Sequence, residues 1–160
     1  MIYEKLQQEV MRKAVRRDVL DKDFMFCLWE YSSPHTEDHV GVFEESHLAV
    51  YMIPKRYVYI DVPMVFGDCK KLYGEKFLNR IVASVSSHKT DEFRICGKDT
   101  YRRFEYKDGE FYVNERLLKY FGRYDSLRYE YDSEQNIMFV FDDLSDDVTP
   151  CAIIMTVNNV

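Results

Sequence analysis

The chain opens with apolar residues at a four-residue spacing, Ile2, Leu6, Val10 and Ala14. On a helix these form one stripe. Arg12, Lys13, Arg16 and Arg17 fall mainly on the other side, late enough to suit the negative end of the helix dipole. A continuous apolar run at 24–31 reads as a buried strand, 32–38 as a polar turn around Pro34, and 40–44 and 48–53 as two more strands. Tyr57, Tyr59 and Asp61 alternate with Val58, Ile60 and Val62, the two-residue period of a half-buried strand. Residues 75–85 predict a second helix, with Phe77, Leu78, Ile81, Val82 and Val85 inward and Lys76 and Arg80 outward.

Strands at 93–96 and 101–106 follow. Lys107-Asp108-Gly109 then makes a hairpin turn, because Asp-Gly supplies the positive φ angles such turns need, and a short strand at 110–113 leads into a third helix. That helix has Asn114 as N-cap, Leu117, Leu118 and Phe121 inward, and Gly122 at its C-cap. Strands at 127–131, 137–141 and 152–157 close the chain, the last two joined by the acidic loop 142–147. A helix with an antiparallel meander recurs along the chain, and the physical solution for such units is helices laid on one face of antiparallel sheet. The expected fold class is therefore α+β, in one domain over 1–160 with no dividing linker.

Composition supports a packed core: 46% of the residues are hydrophobic and 16% aromatic, which excludes a disordered chain. No run approaches the length of apolar residues a membrane helix needs. The start lacks a basic segment followed by an apolar one, so no secretory signal is read and a cytoplasmic location is expected. The net charge of −6 is carried entirely by 121–160, where two arginines face eight carboxylates. An acidic chain is a poor general coat for nucleic acid, although one basic face remains compatible with it.

Candidate chemistry is sparse. Cys27, Cys69, Cys96 and Cys151 stand far apart with no C-x-x-C pair, so no structural zinc site is expected. Cys27, Cys96 and Cys151 lie in apolar runs and read as small buried hydrophobes. His35, His39 and His47 sit among Glu37, Asp38, Glu44 and Glu45, but Pro34 argues against the helix that would align His35 with His39 as metal ligands. The 142–147 loop lacks the alternating ligand pattern of a calcium loop. Cys69 with His88 or His47 is a formal nucleophile–base pair that nothing nearby activates. With no phosphate-binding loop or nucleophile elbow either, no catalytic residue, cofactor or metal is expected, and the chain is read as a non-enzyme.

The basic residues are grouped more informatively. Arg12, Lys13, Arg16, Arg17, Lys76, Arg80, Arg116 and Lys119 all fall on the three expected helices. Helices sharing one face would make that face positive and suited to DNA phosphates. The plain alternative is a solvated face, since Lys and Arg are good helix formers.

Three stretches resemble the ring-shaped sliding clamp of bacterial replicative DNA polymerase. Phe111-Tyr112-Val113-Asn114-Glu115-Arg116-Leu117-Leu118-Lys119-Tyr120-Phe121 is similar to the family's F-N-x-x-Y-L-L-x-x-L helix, with Asn114 one position late and Arg116 at the Tyr. Ala152-Ile153-Ile154-Met155-Thr156-Val157 resembles its final strand, with Thr156 in place of Pro. Glu45-Ser46-His47-Leu48-Ala49 is similar to its D-x-H-R-L-A stretch without the Arg. The resemblance implies a non-enzymatic binding module with basic helices toward double-stranded DNA and a peptide pocket formed by His47, Leu48, Ile154 and Met155. Its implied partners are DNA and a replication or mobile-element protein, with no membrane role and with self-association open through edge strands. The rival readings are a protein-only interaction module, and a small metal- or cysteine-dependent enzyme using His35, His39, His47 or Cys69.

Overall fold

The computed structural model describes residues 26–29, 39–43, 48–54, 81, 83–121, 126–143 and 150–160, with backbone alone at 26–29, 39–43 and 53–54. They form one antiparallel sheet of nine strands. The strands are β1 (Phe26–Trp29), β2 (His39–Phe43), β3 (Ala49–Pro54), β4 (Val85–Cys96), β5 (Asp99–Tyr106), β6 (Gly109–Asn114), β7 (Leu127–Asp132), β8 (Ile137–Asp142) and β9 (Ala152–Met155). Their spatial order, β1-β2-β3-β9-β8-β7-β4-β5-β6, consists of three three-stranded meanders joined by the pairs β3–β9 and β7–β4.

This corrects the expected α+β class. The described residues are built on the sheet, not on helices packed against it. Where a third helix was expected after Asn114, the chain makes two 3₁₀ turns, Glu115–Leu117 and Lys119–Phe121. Asn114 keeps its capping role, its Oδ1 accepting from the Arg116 N–H at 3.2 Å. The α-helix fails because the turns are held by tertiary contacts instead: the Tyr51 hydroxyl donates to the Leu117 carbonyl at 2.8 Å, and the Tyr51 ring lies edge-on to Tyr120 at 4.9 Å. The expected second helix has Val85 as its last inward residue, yet Val85 begins β4 and pairs with Tyr131. The expected first helix, the strand at 57–62 and most of 75–84 lie outside the described residues. With that layout, the clamp-domain architecture implied by the resemblance is not the one the described residues adopt.

The far end of the sheet curls back on its middle. Tyr112 in β6 exchanges both main-chain hydrogen bonds with Val157, two residues beyond β9, at 2.8 and 2.9 Å. Strands β9, β8, β7, β4, β5 and β6 thus close a ring of main-chain pairing, which removes the exposed edge of β6 at that point. Inside it, Phe111 stacks on Tyr131 at 3.8 Å and on Phe104 at 5.2 Å, while Tyr129 meets Phe104 edge-on at 5.1 Å. Contact of Phe111 with Tyr131 spans strands that are not neighbours in the sheet, so these rings bridge its interior. Leu117, Tyr120 and Phe121 of the 3₁₀ turns are buried as well.

The middle of the sheet is buried on both faces. In β8, Ile137, Met138, Phe139, Val140 and Phe141 are all buried in succession, the mark of a central strand covered on both sides. The β4–β5 hairpin is the opposite case, and most of β4 is exposed. It turns at Gly97, whose φ of +62° is a left-handed conformation that glycine reaches without a Cβ penalty.

Candidate functional site

The feature that sets β4 apart is how its two sides are paired. On one side it pairs with β5 nearly to the tip, from Ser87↔Tyr106 to Cys96↔Asp99. On the other it pairs with β7 at Val85, Ser86 and Ser87 only. From His88 onward β4 and β7 part, which leaves a fork between them and a strand edge along the hairpin that no described strand pairs with.

The expected strand at 93–96 is thus the outer third of a longer one. Residues 85–92 lack a hydrophobic alternation, so what makes them strand is pairing with β7 over Val85–Ser87, the ladder to β5 from Ser87 to Lys89, and a bulge that shifts the register between Lys89 and Phe93. Side chains tie the bulge down. Thr90 Oγ1 donates to the Arg103 carbonyl at 2.8 Å and accepts from the Glu92 N–H at 3.2 Å, and Arg102 Nη1 donates to the Thr90 carbonyl at 3.2 Å.

Beyond the bulge, Phe93 and Ile95 share one face and are 50% and 80% exposed. The Arg102 guanidinium covers part of Phe93, 3.7 Å from its ring centre. Arg102 is itself held by Glu115 through two bonds of 3.1 and 2.8 Å. Its pKa is raised further above the ordinary arginine value, first by that bond, with burial opposing. On the other face Arg94 lies 4.9 Å from the Tyr112 ring centre and donates to the Val160 carbonyl at 3.2 Å. Arg103 bridges Glu92, Glu105 and Glu110, and its bond, followed by that from Tyr112, holds the Glu110 carboxyl below its usual range.

The fork holds two adjoining clefts. One, of about 140 Å³, is lined by Lys89, Glu115, Leu118, Lys119, Phe121, Leu127 and Tyr129. The other shares Lys89, Leu127 and Tyr129 and reaches Ser87, His88, Arg128 and Asp143. Burial pushes the Tyr129 phenol up to about 12, so it stays a protonated donor across the physiological range.

Of the residues expected to face DNA, Arg12, Lys13, Arg16, Arg17, Lys76 and Arg80 lie outside the described residues. Arg116 and Lys119 are exposed on the two 3₁₀ turns rather than on a helix, and Lys119 opens on the first cleft. Of the expected peptide pocket, His47 lies outside the described residues. Leu48 and Met155 are neighbours, the Met155 N–H donating to the Leu48 carbonyl at 2.8 Å, and both are exposed. Ile154 is fully buried, in register between Ala49 and Met138. His35 and Cys69 lie outside the described residues, and His39 is in β2, described in backbone only. Cys151 is buried as expected, whereas Cys96 is exposed beside the hairpin turn. Among the described residues no His, Cys, Asp and Glu side chains group as metal ligands, and no helix is long and apolar enough to cross a membrane.

Comparison with protein families, curated proteins and solved structures finds no match. The sequence reading passed over Lys89, Ser87 and Tyr129, because a lysine in a polar run and a tyrosine in a strand carry no signal until the fork brings them together. Phe93 and Ile95 were placed in a strand, but alternation with Arg94 cannot say which face is left uncovered.

Proposed function

We propose that this chain is a non-enzymatic protein-interaction module that takes an extended segment of a partner protein along the open edge of β4. The observation that carries this reading is the exposure of Phe93 and Ile95 on a strand edge that, among the described residues, has no neighbour beyond Ser87. Edge strands are commonly guarded by inward charges and bulges. The bulge and Lys89 do this for the first part of β4, but a guarded tip would not present an isoleucine that is four-fifths exposed. A partner strand would satisfy the unpaired main-chain groups and cover the two apolar side chains, so its own apolar residues would alternate to match them.

A displayed library of random peptides, selected on the protein, tests this directly. Selected peptides should slow amide exchange over 88–96 and lose at least tenfold in affinity on a Phe93→Ser, Ile95→Ser variant. Peptides that bind the variant equally well, or protect a different strand, would overturn the reading. Duplex DNA that binds at low salt, fades as salt rises and is lost on Arg116→Ala with Lys119→Ala would favour the DNA-facing reading in its place.

A further inference from the structure

The fork between β4 and β7 carries a second inference, which rests on its polar side chains and not on Phe93 and Ile95. Four groups that line it can donate hydrogen bonds and are not already used by acceptors. Lys89 and Lys119 both line the smaller cleft, and neither has a carboxylate within ion-pair distance among the described residues. Tyr129 lines both clefts, and its hydroxyl has no hydrogen-bond partner among the described residues. Ser87, in the wall of the larger cleft, is 4% exposed, and its buried Oγ is likewise unpartnered.

The two carboxylates that also line the clefts are taken. Glu115 is held in a two-bond pair by Arg102, and Asp143 accepts from Arg128 Nε at 3.2 Å. Among the described residues, the charge left to a ligand is therefore that of two ammonium groups, with a phenol beside them that stays protonated. Buried polar groups normally find partners, and an unpartnered hydroxyl in a cleft wall calls for an explanation. Ammonium and hydroxyl groups together, with the nearby carboxylates occupied, suit an oxyanion carrying several acceptor oxygens.

We infer that the β4–β7 fork is a binding site for an oxyanion of the phosphate class, held by Lys89, Lys119 and Tyr129 with Ser87 in its wall. A phosphate free in solution and one carried as an ester on a partner chain share this chemistry.

Thermal unfolding of the full chain in inorganic phosphate, against chloride at matched ionic strength, measures the site by linkage. The expected result is a rise in Tm of about 3–6 °C at phosphate concentrations some twentyfold above Kd. That rise should vanish in a Lys89→Gln, Lys119→Gln variant, both positions being exposed and tolerant of change. Tyr129→Phe should weaken phosphate binding several-fold, and Ser87→Ala less. Phosphate also stabilises proteins generally by exclusion from their surface, so a rise that persists undiminished in the double lysine variant overturns the site. So does a rise no larger than in chloride. Repeating the titration with O-phosphoserine identifies the source: tighter binding than inorganic phosphate points to an ester on a partner chain, and weaker binding to the free ion. Loss of peptide binding at Phe93 and Ile95 would leave this result untouched, so the two proposals fail separately.

Discussion

Strands β8 and β4 belong to the same antiparallel sheet, yet different forces hold them there. In β8 five successive residues from Ile137 to Phe141 are buried, and the strand exists because both of its faces are taken out of water. In β4 only Ser87 is buried among twelve residues, so burial contributes little. Its strand conformation comes from the ladder to β5, from the short pairing of Val85, Ser86 and Ser87 with β7, and from the bonds made by Thr90, Arg102 and Arg103 around the bulge. The comparison separates a part of the sheet that carries stability from a part that can be altered at low cost, which is where a binding edge is best placed.

The sharpest way to break the contrast is in the ring interior. Phe111→Ala should cost about 3–5 kcal/mol in chemical denaturation, since it removes a fully buried ring stacked between Phe104 and Tyr131. A loss near 1 kcal/mol would mean that the ring closed by Tyr112 and Val157 is not a cooperative core.

A middle-sized effect lies at the fork, where core and edge meet. Tyr129 keeps its proton in the folded chain to about pH 12, while in the unfolded chain a tyrosine releases it near 10. Between those values the unfolded state binds fewer protons, so stability is fully present below about pH 9 and falls as pH rises. The fall attributable to this residue is roughly 2 kcal/mol by pH 12. Denaturation of wild type and Tyr129→Phe at pH 8 and pH 11.5 should show the wild type losing more between the two. An equal loss in both proteins would show that burial of this phenol is not what couples stability to alkali.

The smallest effect is expected at the hairpin tip. Ile95→Ser should leave stability within about 0.5 kcal/mol, although it removes a large aliphatic side chain, because that side chain is already four-fifths in water. A loss above 1 kcal/mol would mean that Ile95 is covered in solution, for instance by a second copy of the chain, and a concentration-dependent Tm would identify that case.

Much of the sheet could be read from residue pattern. Every described strand overlaps a run that the hydrophobic spacing marked, and the β5–β6 hairpin falls at the expected place, although its two-residue loop is Lys107-Asp108, with no positive φ at either, and Gly109 already pairs with Tyr106. Asn114 was readable as a cap because a short side-chain oxygen beside free backbone N–H groups works alike for an α-helix and a 3₁₀ turn. The turn type was not readable. Leu117, Leu118 and Phe121 suit an inward helical face, but Tyr51 arrives from a strand more than sixty residues earlier and claims the Leu117 carbonyl. The first half of β4 was missed for the same reason in reverse: 85–92 has no amphipathic period, and its conformation is supplied by a partner strand.

The local sequence therefore determined where the apolar runs of the strands lie, that a tight turn follows β5 and which residue caps the segment after β6, because these depend on side-chain spacing and on the φ, ψ preferences of single residues. Only the tertiary structure decided the strand order, the closure of β6 on Val157, the exposure of Phe93 and Ile95, and the meeting of Lys89, Lys119, Ser87 and Tyr129. Those depend on which strand edges find each other across the chain. Main-chain hydrogen bonds are the same for every residue, so such pairing leaves almost no trace in the sequence until packing selects it.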